Sequence, residues 1–474
     1  MNRPATHKVQ LEQPIHFIGI GGSGMSPLAE VCAVRGLKIQ GSDQSQSTTT
    51  SELQKLGIKV FSNHNPDNLA GVKTVVISSA VKDENLELIA AKKLGLKVVH
   101  RSDLLKELME GHYIITVAGT HGKTTTTALL THILAGLGCD PTAVVGGKML
   151  ATGSAARVGR GKIFIAEADE SDGTLQKYIS DIAIVNNIEA DHLDYFKTEE
   201  QQLSVFRKFL NNTKEDGAIV VGWDCKQLRE LVRDIDATRV AFGFTIGCDV
   251  RAIEFQSVAG LSSFQAVVEQ QVVACRWPVL GRHNALNALA CLSVVQALDL
   301  DVKKAAALLE TFLGVERRLN RVLYLPHVQV YDDYAHNPGK ISACIRALRE
   351  AWPDADLRVI YQPHRYSRLE TMYTESVTAF SDADQVIVVP VYAAGETSAR
   401  KFLPSEIATS IREASGTEAI GVDSLAKATE EIVRNRLEKS VILTVGAGDV
   451  WQVAMQLKER LSEKKKVHLP GSPS

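Results

Sequence analysis

The sequence predicts an α/β chain of three successive domains, and three stretches predict it. Near the start, the apolar run Ile15-His16-Phe17-Ile18 gives way to Gly19-Ile20-Gly21-Gly22-Ser23-Gly24-Met25. Further on, the β-branched run Ile114-Ile115-Thr116-Val117-Ala118 meets Gly119-Thr120-His121-Gly122-Lys123-Thr124-Thr125 and then a helix-forming segment. Beyond residue 320, apolar strands alternate with amphipathic helices, and the strands end in polar clusters. Strand, turn and helix repeated in this way is the pattern of parallel sheets covered by helices.

Composition bounds the reading. A chain of 474 residues is too long for one core, so several domains are expected. A net charge of −2 gives no electrostatic case for nucleic acid or an anionic membrane. Seven cysteines without a Cys-x-x-Cys pair suggest neither a disulfide framework nor a zinc site. The opening residues are polar and no apolar run approaches about 18 residues. Neither a signal peptide nor a membrane span is expected, and the expected location is the cytoplasm.

The first unit reads as Rossmann-like. Its glycines permit a tight turn and close backbone approach to a diphosphate, ahead of a helix from Pro27 to Val34. A strand over 37–40 leads to Asp43, an acid placed to meet a ribose. Strands at 74–79 and 97–100 follow, and Ser78 and Ser79 fall at a carboxyl edge where ligands bind. The glycines and Asp43 alone fit an NAD site equally well, which keeps a dehydrogenase as one reading. A plain strand terminus explains the serines equally well.

The second stretch has the layout of a phosphate-binding loop. Backbone N–H groups and the helix dipole would face an anion, Lys123 would reach the terminal phosphates, and the Thr124 hydroxyl would sit on Mg²⁺. Its spacing is short, with only Thr120 and His121 between the two glycines. A strand at 162–166 ends in Glu167-Ala168-Asp169-Glu170-Ser171-Asp172, acids that repel one another unless a cation sits among them. Another at 181–185 leads to Asn186, Asn187, Glu189, Asp191 and His192. His192 there is a metal ligand or a core histidine. Asn284 and Asn287 lie one turn apart on a helix, suited to an adenine edge or to capping. A nucleotide-switched binding protein without amide chemistry is a further reading of this stretch.

In the third domain, strands are expected at 328–331, 357–361, 384–390 and 441–445, and the first three end in polar clusters. These hold Tyr334 and His336, then His364, Arg365 and Arg368, then Tyr392 and Glu396. Pro338 fits a first helical turn, and Ile341, Cys344, Ile345 and Leu348 give that helix one apolar face. The tail from Ser462 is expected to lack fixed structure.

These motifs, in this order from about Ile15 to Trp451, resemble the Mur ligase family of ATP-dependent amide-forming enzymes. The short glycine loop is itself a mark of that family. The stretches Glu167–Asp172, Asn187–His192, Asp332–His336 and Gln362–Arg368 are most similar to the branch that adds L-alanine to UDP-N-acetylmuramate. The resemblance implies a Rossmann-like UDP-sugar domain over 1–107, a central P-loop ATPase-type α/β domain over 108–319, and a Rossmann-like amino-acid domain over 320–474. It implies ATP and Mg²⁺ as cofactors, UDP-N-acetylmuramate and L-alanine as substrates, and a place in peptidoglycan and cell-wall synthesis. The UDP-sugar contacts are then Gly19, Gly21, Gly22, Ser23, Gly24, Met25, Asp43, Ser78 and Ser79. ATP falls to Gly119 through Thr125 with Asn284 and Asn287, and Arg282 and His283 lie beside them. One Mg²⁺ falls to Thr124 and Glu167, and a second to His192. Arg317, Tyr334, His336, His364, Arg365 and Arg368 gather the carboxylates and the amino acid. Lys123, Glu167, His192, His336 and Arg365 are the implied catalytic set. The family carries a second histidine where Asn337 stands. A carbamylated lysine found in relatives is assigned to neither Lys197 nor Lys208.

Overall fold

The computed structural model describes residues 10–189, 196, 198–397, 402–435 and 437–467. The chain divides into two compact units: residues 1–253, 265–275 and 286–312, and residues 254–264, 276–285 and 313–474.

The first unit opens with a five-stranded parallel sheet of β1 (Ile15–Ile18), β2 (Ile39–Ser42), β3 (Lys59–Phe61), β4 (Thr74–Ile77) and β5 (Lys97–His100), in the order β3-β2-β1-β4-β5. Helices α1 (Ser26–Val34), α2 (Thr48–Lys55), α3 (Leu86–Lys93) and α4 (Arg101–Met109) connect or follow these strands. The order reverses between β1 and β4, so Gly19 to Gly24 and Ser78-Ser79 leave neighbouring strands at the switch point, where such sheets bind ligands. Strand β2 begins two residues later than its apolar run suggests, because Gly36 turns left-handed (φ +78°) after α1 and delays the pairing.

A ten-stranded sheet follows. Its strands are β6 (Tyr113–Ala118), β7 (Thr142–Val144), β8 (Ala156–Arg157), β9 (Ile163–Glu167), β10 (Ser180–Val185), β11 (Thr213–Gly222), β12 (Thr238–Gly243), β13 (Val250–Val258), β14 (Leu261–Val268) and β15 (Gln271–Trp277). Their order is β15-β14-β13-β12-β11-β10-β6-β9-β7-β8. The division between units passes through β13, β14 and β15. Helices α5 (Lys123–Gly136), α6 (Glu199–Asn211), α7 (Lys226–Leu231), α8 (Arg282–Ala297) and α9 (Val302–Leu308) complete this part of the chain. Strand β6 is parallel to both its neighbours, β9 and β10. The glycine loop after β6 is therefore flanked by the two acidic strand ends.

The second unit carries a six-stranded sheet, ordered β16-β17-β21-β18-β19-β20. Strands β16 (Asn320–Leu325), β17 (Val328–Asp333), β18 (Asp356–Tyr361), β19 (Gln385–Val388), β20 (Glu418–Gly421) and β21 (Ser440–Val445) alternate with α10 (Pro338–Ala351), α11 (Tyr366–Thr371), α12 (Tyr373–Thr378), α13 (Pro404–Ser415) and α14 (Leu425–Arg434); α15 (Trp451–Val467) closes the series. Only β16 pairs antiparallel; β17, β21, β18 and β19 run parallel and deliver their polar ends to one edge. Helix α15 continues through Val467, which corrects the expectation of an unstructured tail from Ser462. Glu and Lys propagate a helix readily, and residues 468–474 of that stretch lie outside the described residues.

Helix α10 buries Ile341, Cys344, Ile345 and Leu348, the stripe its period predicts. Its N-cap is Asn337, whose Oδ1 accepts the Lys340 N–H at 3.0 Å. An asparagine there satisfies a backbone donor the helix leaves open. Replacing Asn337 with alanine should cost about 1 kcal/mol of stability, read as a lower urea midpoint, while Asn337→Ser keeps most of it. Equal midpoints for the two variants would contradict the cap.

Candidate active site

The glycine loop is shaped by what stands behind it. Gly119 and Gly122 have φ of +133° and +81°, where a side chain is strained. A Cβ on Gly122 would also overlap the Asn287 Oδ1, and one on Gly119 would crowd the Asn186 backbone. The strand end after β10 buttresses the turn. The Thr120 N–H reaches the Asn187 carbonyl at 3.1 Å, the His121 N–H reaches Asn187 Oδ1 at 2.8 Å, and His121 Nε2 lies 2.9 Å from Glu189. Asn186 Nδ2 donates to the Thr126 hydroxyl at 3.0 Å, and that hydroxyl donates to Asn287 Oδ1 at 3.2 Å. Asn287 thus faces the loop from behind. Asn284 instead donates to the Leu280 carbonyl at 2.8 Å, at the start of its own helix.

Lys123 is the first residue of α5, where the positive end of the helix dipole disfavours a cation. Its ammonium donates to the Gly119 carbonyl at 2.8 Å and to both Glu170 oxygens at 2.8 and 2.6 Å. Glu170 is fully buried. Burial opposes the lysine charge, and the carboxylates of Glu170, Asp169 and Glu167 outweigh it, so the ammonium is held above its ordinary range. Sequence reasoning marked the acidic run but did not pick out Glu170. A lysine buried at a loop needs a buried carboxylate, and which acid of the run is buried depends on how the strands pair.

Thr124 Oγ1 donates to Glu167 Oε1 at 3.1 Å, and Gly146 N–H donates to Glu167 Oε2 at 2.8 Å. A hydroxyl beside a carboxylate is a hard oxygen pair of the kind Mg²⁺ takes, the rest of its shell coming from water and phosphate. Among the described residues no group of three His, Cys, Asp or Glu could hold a metal by itself. His192 and Lys197 lie outside the described residues. Lys208 is in the last turn of α6.

At the first sheet's edge, Gly19 turns at φ +74° and the Gly21 N–H donates to Asp43 Oδ2 at 2.9 Å, so Asp43 braces the turn. Met25 is buried, whereas Gly22 and Ser23 are exposed. Arg101 packs its side chain against Gly24 and pairs with Asp169 at 3.3 Å and Asp172 at 3.4 Å. Asp172 also accepts from Ser79 at 2.8 Å. Ser78, just past the end of β4, is half-buried. Arg101, which the sequence did not single out, joins the turn at Gly24 to the acidic run beside Lys123.

In the second unit, Tyr334, His336, His364 and Tyr392 form a row of rings. Successive centroids are 5.4, 5.6 and 5.8 Å apart. The His336 Nδ1–H donates to the Tyr334 carbonyl, which leaves Nε2 as an acceptor. His364 Nδ1 accepts from the Arg368 guanidinium at 3.2 Å. Burial first, and Arg368 second, push His336 down to about 3 and His364 down to about 4. Both are neutral near pH 7. Arg317 lies 4.9 Å over the Tyr334 ring, 3.5 Å from Asp332, and donates to the Gly446 carbonyl. Burial raises Asp332 to about 6. Arg365 is exposed and strained at φ +64°.

Residues 14–113 match the Mur ligase family catalytic domain, 117–295 the Mur ligase middle domain, and 317–448 the Mur ligase glutamate ligase domain. The chain belongs to the Mur ligase family. It is 37% identical over 455 residues to a UDP-N-acetylmuramate–L-alanine ligase of Geobacter sulfurreducens, covering 96% of this chain and 98% of the relative. It is 39% identical over 462 residues to the ligase of that name from Sorangium cellulosum, covering 95% and 97%. The crystal structure of the UDP-N-acetylmuramate–alanine ligase of Thermotoga maritima superposes with a TM-score of 0.82 at 29% identity, over 96% of this chain and all of that one. A murein peptide ligase from Psychrobacter arcticus shares the fold, with a TM-score of 0.70 at 21% identity over 97% of this chain and 99% of that one. Membership of a family of ligases displaces the dehydrogenase reading of the glycines.

The two neutral histidines have a consequence for stability. An unfolded chain protonates them near the ordinary 6.5, whereas the folded chain does so only near 3 and 4. Below pH 6.5 the unfolded state therefore binds more protons, and stability falls as pH drops toward about 4. Urea midpoints measured across that window should fall less steeply for His336→Gln/His364→Gln than for the parent chain. Identical slopes would contradict their depressed titration.

Proposed function

We propose that this chain joins L-alanine to the lactyl carboxylate of UDP-N-acetylmuramate with conversion of ATP to ADP and phosphate, a step of peptidoglycan assembly. The observation that carries the reading is the charged Lys123, held at the mouth of the glycine loop by Glu170. Matches over nearly the whole chain to relatives named for alanine support that amino acid over the glutamate in the name of the third matching domain. We assign residues 1–107 to the UDP-sugar, 108–319 to ATP and 320–474 to the amino acid. The reaction belongs in the cytoplasm, where ATP is supplied.

A carboxylate resists attack by an amine because its oxygen is a poor leaving group. Moving the γ-phosphoryl group onto it gives an acyl phosphate, whose phosphate departs once the amine has attacked the carbonyl carbon. Charge gathers on the phosphoryl oxygens throughout, and fixed cations and N–H groups stabilise it. Lys123 and the N–H groups from Gly119 to Thr125 serve that end. Thr124 and Glu167 would hold a Mg²⁺, with His192 assigned to a second; when bound, such ions neutralise phosphate charge and orient the oxygens. Gly119, Gly122 and their asparagine supports keep the loop open to the phosphates. Arg317, Arg365 and Arg368 are assigned to carboxylates. His336, neutral and with Nε2 as acceptor, is suited to receive an N–H of the incoming amine.

Phosphate release with ATP, Mg²⁺ and UDP-N-acetylmuramate should require L-alanine. Lys123→Ala should lower that rate by at least about a thousandfold, on the scale of losing a principal transition-state donor, and leave UDP-sugar affinity within a few fold. Retention of alanine-dependent release in the variant would overturn the role given to Lys123.

A further inference from the structure

The polar cluster after β19 has no part in the reaction described above, yet the structure holds it tightly. The Tyr392 N–H donates to the Pro363 carbonyl and the Arg365 N–H donates to the Tyr392 carbonyl, both at 2.9 Å. These bonds make a parallel bridge between His364 and Tyr392. Four residues on, Glu396 accepts from the Ser367 N–H at 3.1 Å and the Ser367 hydroxyl at 2.7 Å. The loop after β19 is thereby bound to the loop after β18, which carries His364, Arg365 and Arg368. Arg365 takes its left-handed backbone, φ +64°, in this bridge. A non-glycine residue in such a conformation persists only where its surroundings fix it, and such residues gather at ligand clamps.

The Tyr392 ring is fixed as well. It lies nearly parallel to the His364 imidazole, 9° between planes, and is still 39% exposed. On another side, the absence of a side chain at Gly448 leaves room for it, since a Cβ there would come within 2.6 Å of Tyr392 Cβ. A large ring kept open to solvent at the end of a row of neutral imidazoles is placed to meet something. The inference rests on the reading above, in which Arg365 and Arg368 hold the carboxylate of the amino acid. Those arginines follow His364 in the chain and Arg368 bonds its ring, so the bound amino acid's side chain would lie against the ring row. Tyr392 is at its open end.

We propose that Tyr392 is a specificity-determining residue, closing the amino-acid site to side chains longer than a methyl group. A single methylene in an apolar site changes selectivity by about 10- to 200-fold, enough to separate alanine from its next homologue.

The test compares kcat/KM for L-alanine and L-2-aminobutyrate in the parent enzyme, Tyr392→Ala and Tyr392→Phe, by phosphate release with saturating ATP, Mg²⁺ and UDP-N-acetylmuramate. Tyr392→Ala should raise the ratio of aminobutyrate to alanine by about tenfold or more, and Tyr392→Phe should leave it within about twofold. Tyr392→Val, keeping more apolar bulk, should fall between them and serves if the alanine variant folds poorly. A ratio unchanged in Tyr392→Ala, with both rates reduced together, would make Tyr392 a support for His364 and overturn the proposal. A parent enzyme releasing phosphate with neither amino acid would instead overturn the ligase reading beneath it.

Discussion

A buried ammonium at the start of a helix is disfavoured twice, by loss of water and by the helix dipole. Lys123 stands in that position and is charged because Glu170, fully buried, accepts two hydrogen bonds from it. Much of the first unit follows from this pair. The acid must arrive on a strand next to the one that delivers the lysine, and β9 lies beside β6 in register to do so. On the other side β10 supplies Asn186, Asn187 and Glu189 to hold the glycine turn. The same acidic run reaches Arg101 through Asp169 and Asp172, tying the turn at Gly24 to the surroundings of the glycine loop. Removing one partner of such a buried pair costs about 3–5 kcal/mol, so the arrangement is structural as well as chemical.

The second unit solves the opposite problem. In the proposed reaction an amine arrives as a nucleophile among carboxylates, which calls for acceptors without positive charge beside arginines that have it. Burial and Arg368 keep His336 and His364 neutral, and the Tyr334 carbonyl fixes which nitrogen of His336 accepts. Asp333 is spent on the backbone, accepting from the N–H groups of Leu319 and Ala335 at 2.6 Å each, and so shapes the strand end that presents these rings.

The sequence made the parallel strands legible where both faces are buried and apolar runs are unbroken, as at 114–118, 181–185 and 441–445. The β13 to β15 region was not read as strands, because its alternating exposed and buried residues, Val250 to Trp277, lack that continuous signal. Strand β3, three residues with Lys59 exposed, carries too little apolar pattern to stand out. For the site, loop residues at strand ends could be named because glycine, lysine and acid types have few reasons to gather there. What sequence could not supply was pairing. Which acid serves Lys123 and that Tyr392 lies on His364 depend on strand order and on backbone bridges between loops distant in the chain.

In the proposed reaction the lysine-bearing loop activates a carboxylate rather than driving a switch. The most direct measurement follows an oxygen atom. UDP-N-acetylmuramate labelled with ¹⁸O in its lactyl carboxylate is turned over with ATP, Mg²⁺ and L-alanine, and the released phosphate is weighed by mass spectrometry. Formation of an acyl phosphate transfers one carboxylate oxygen to each phosphate, so the account predicts labelled phosphate in step with amide formed. Unlabelled phosphate at full turnover would mean that ATP is hydrolysed apart from the carboxylate, and would contradict it.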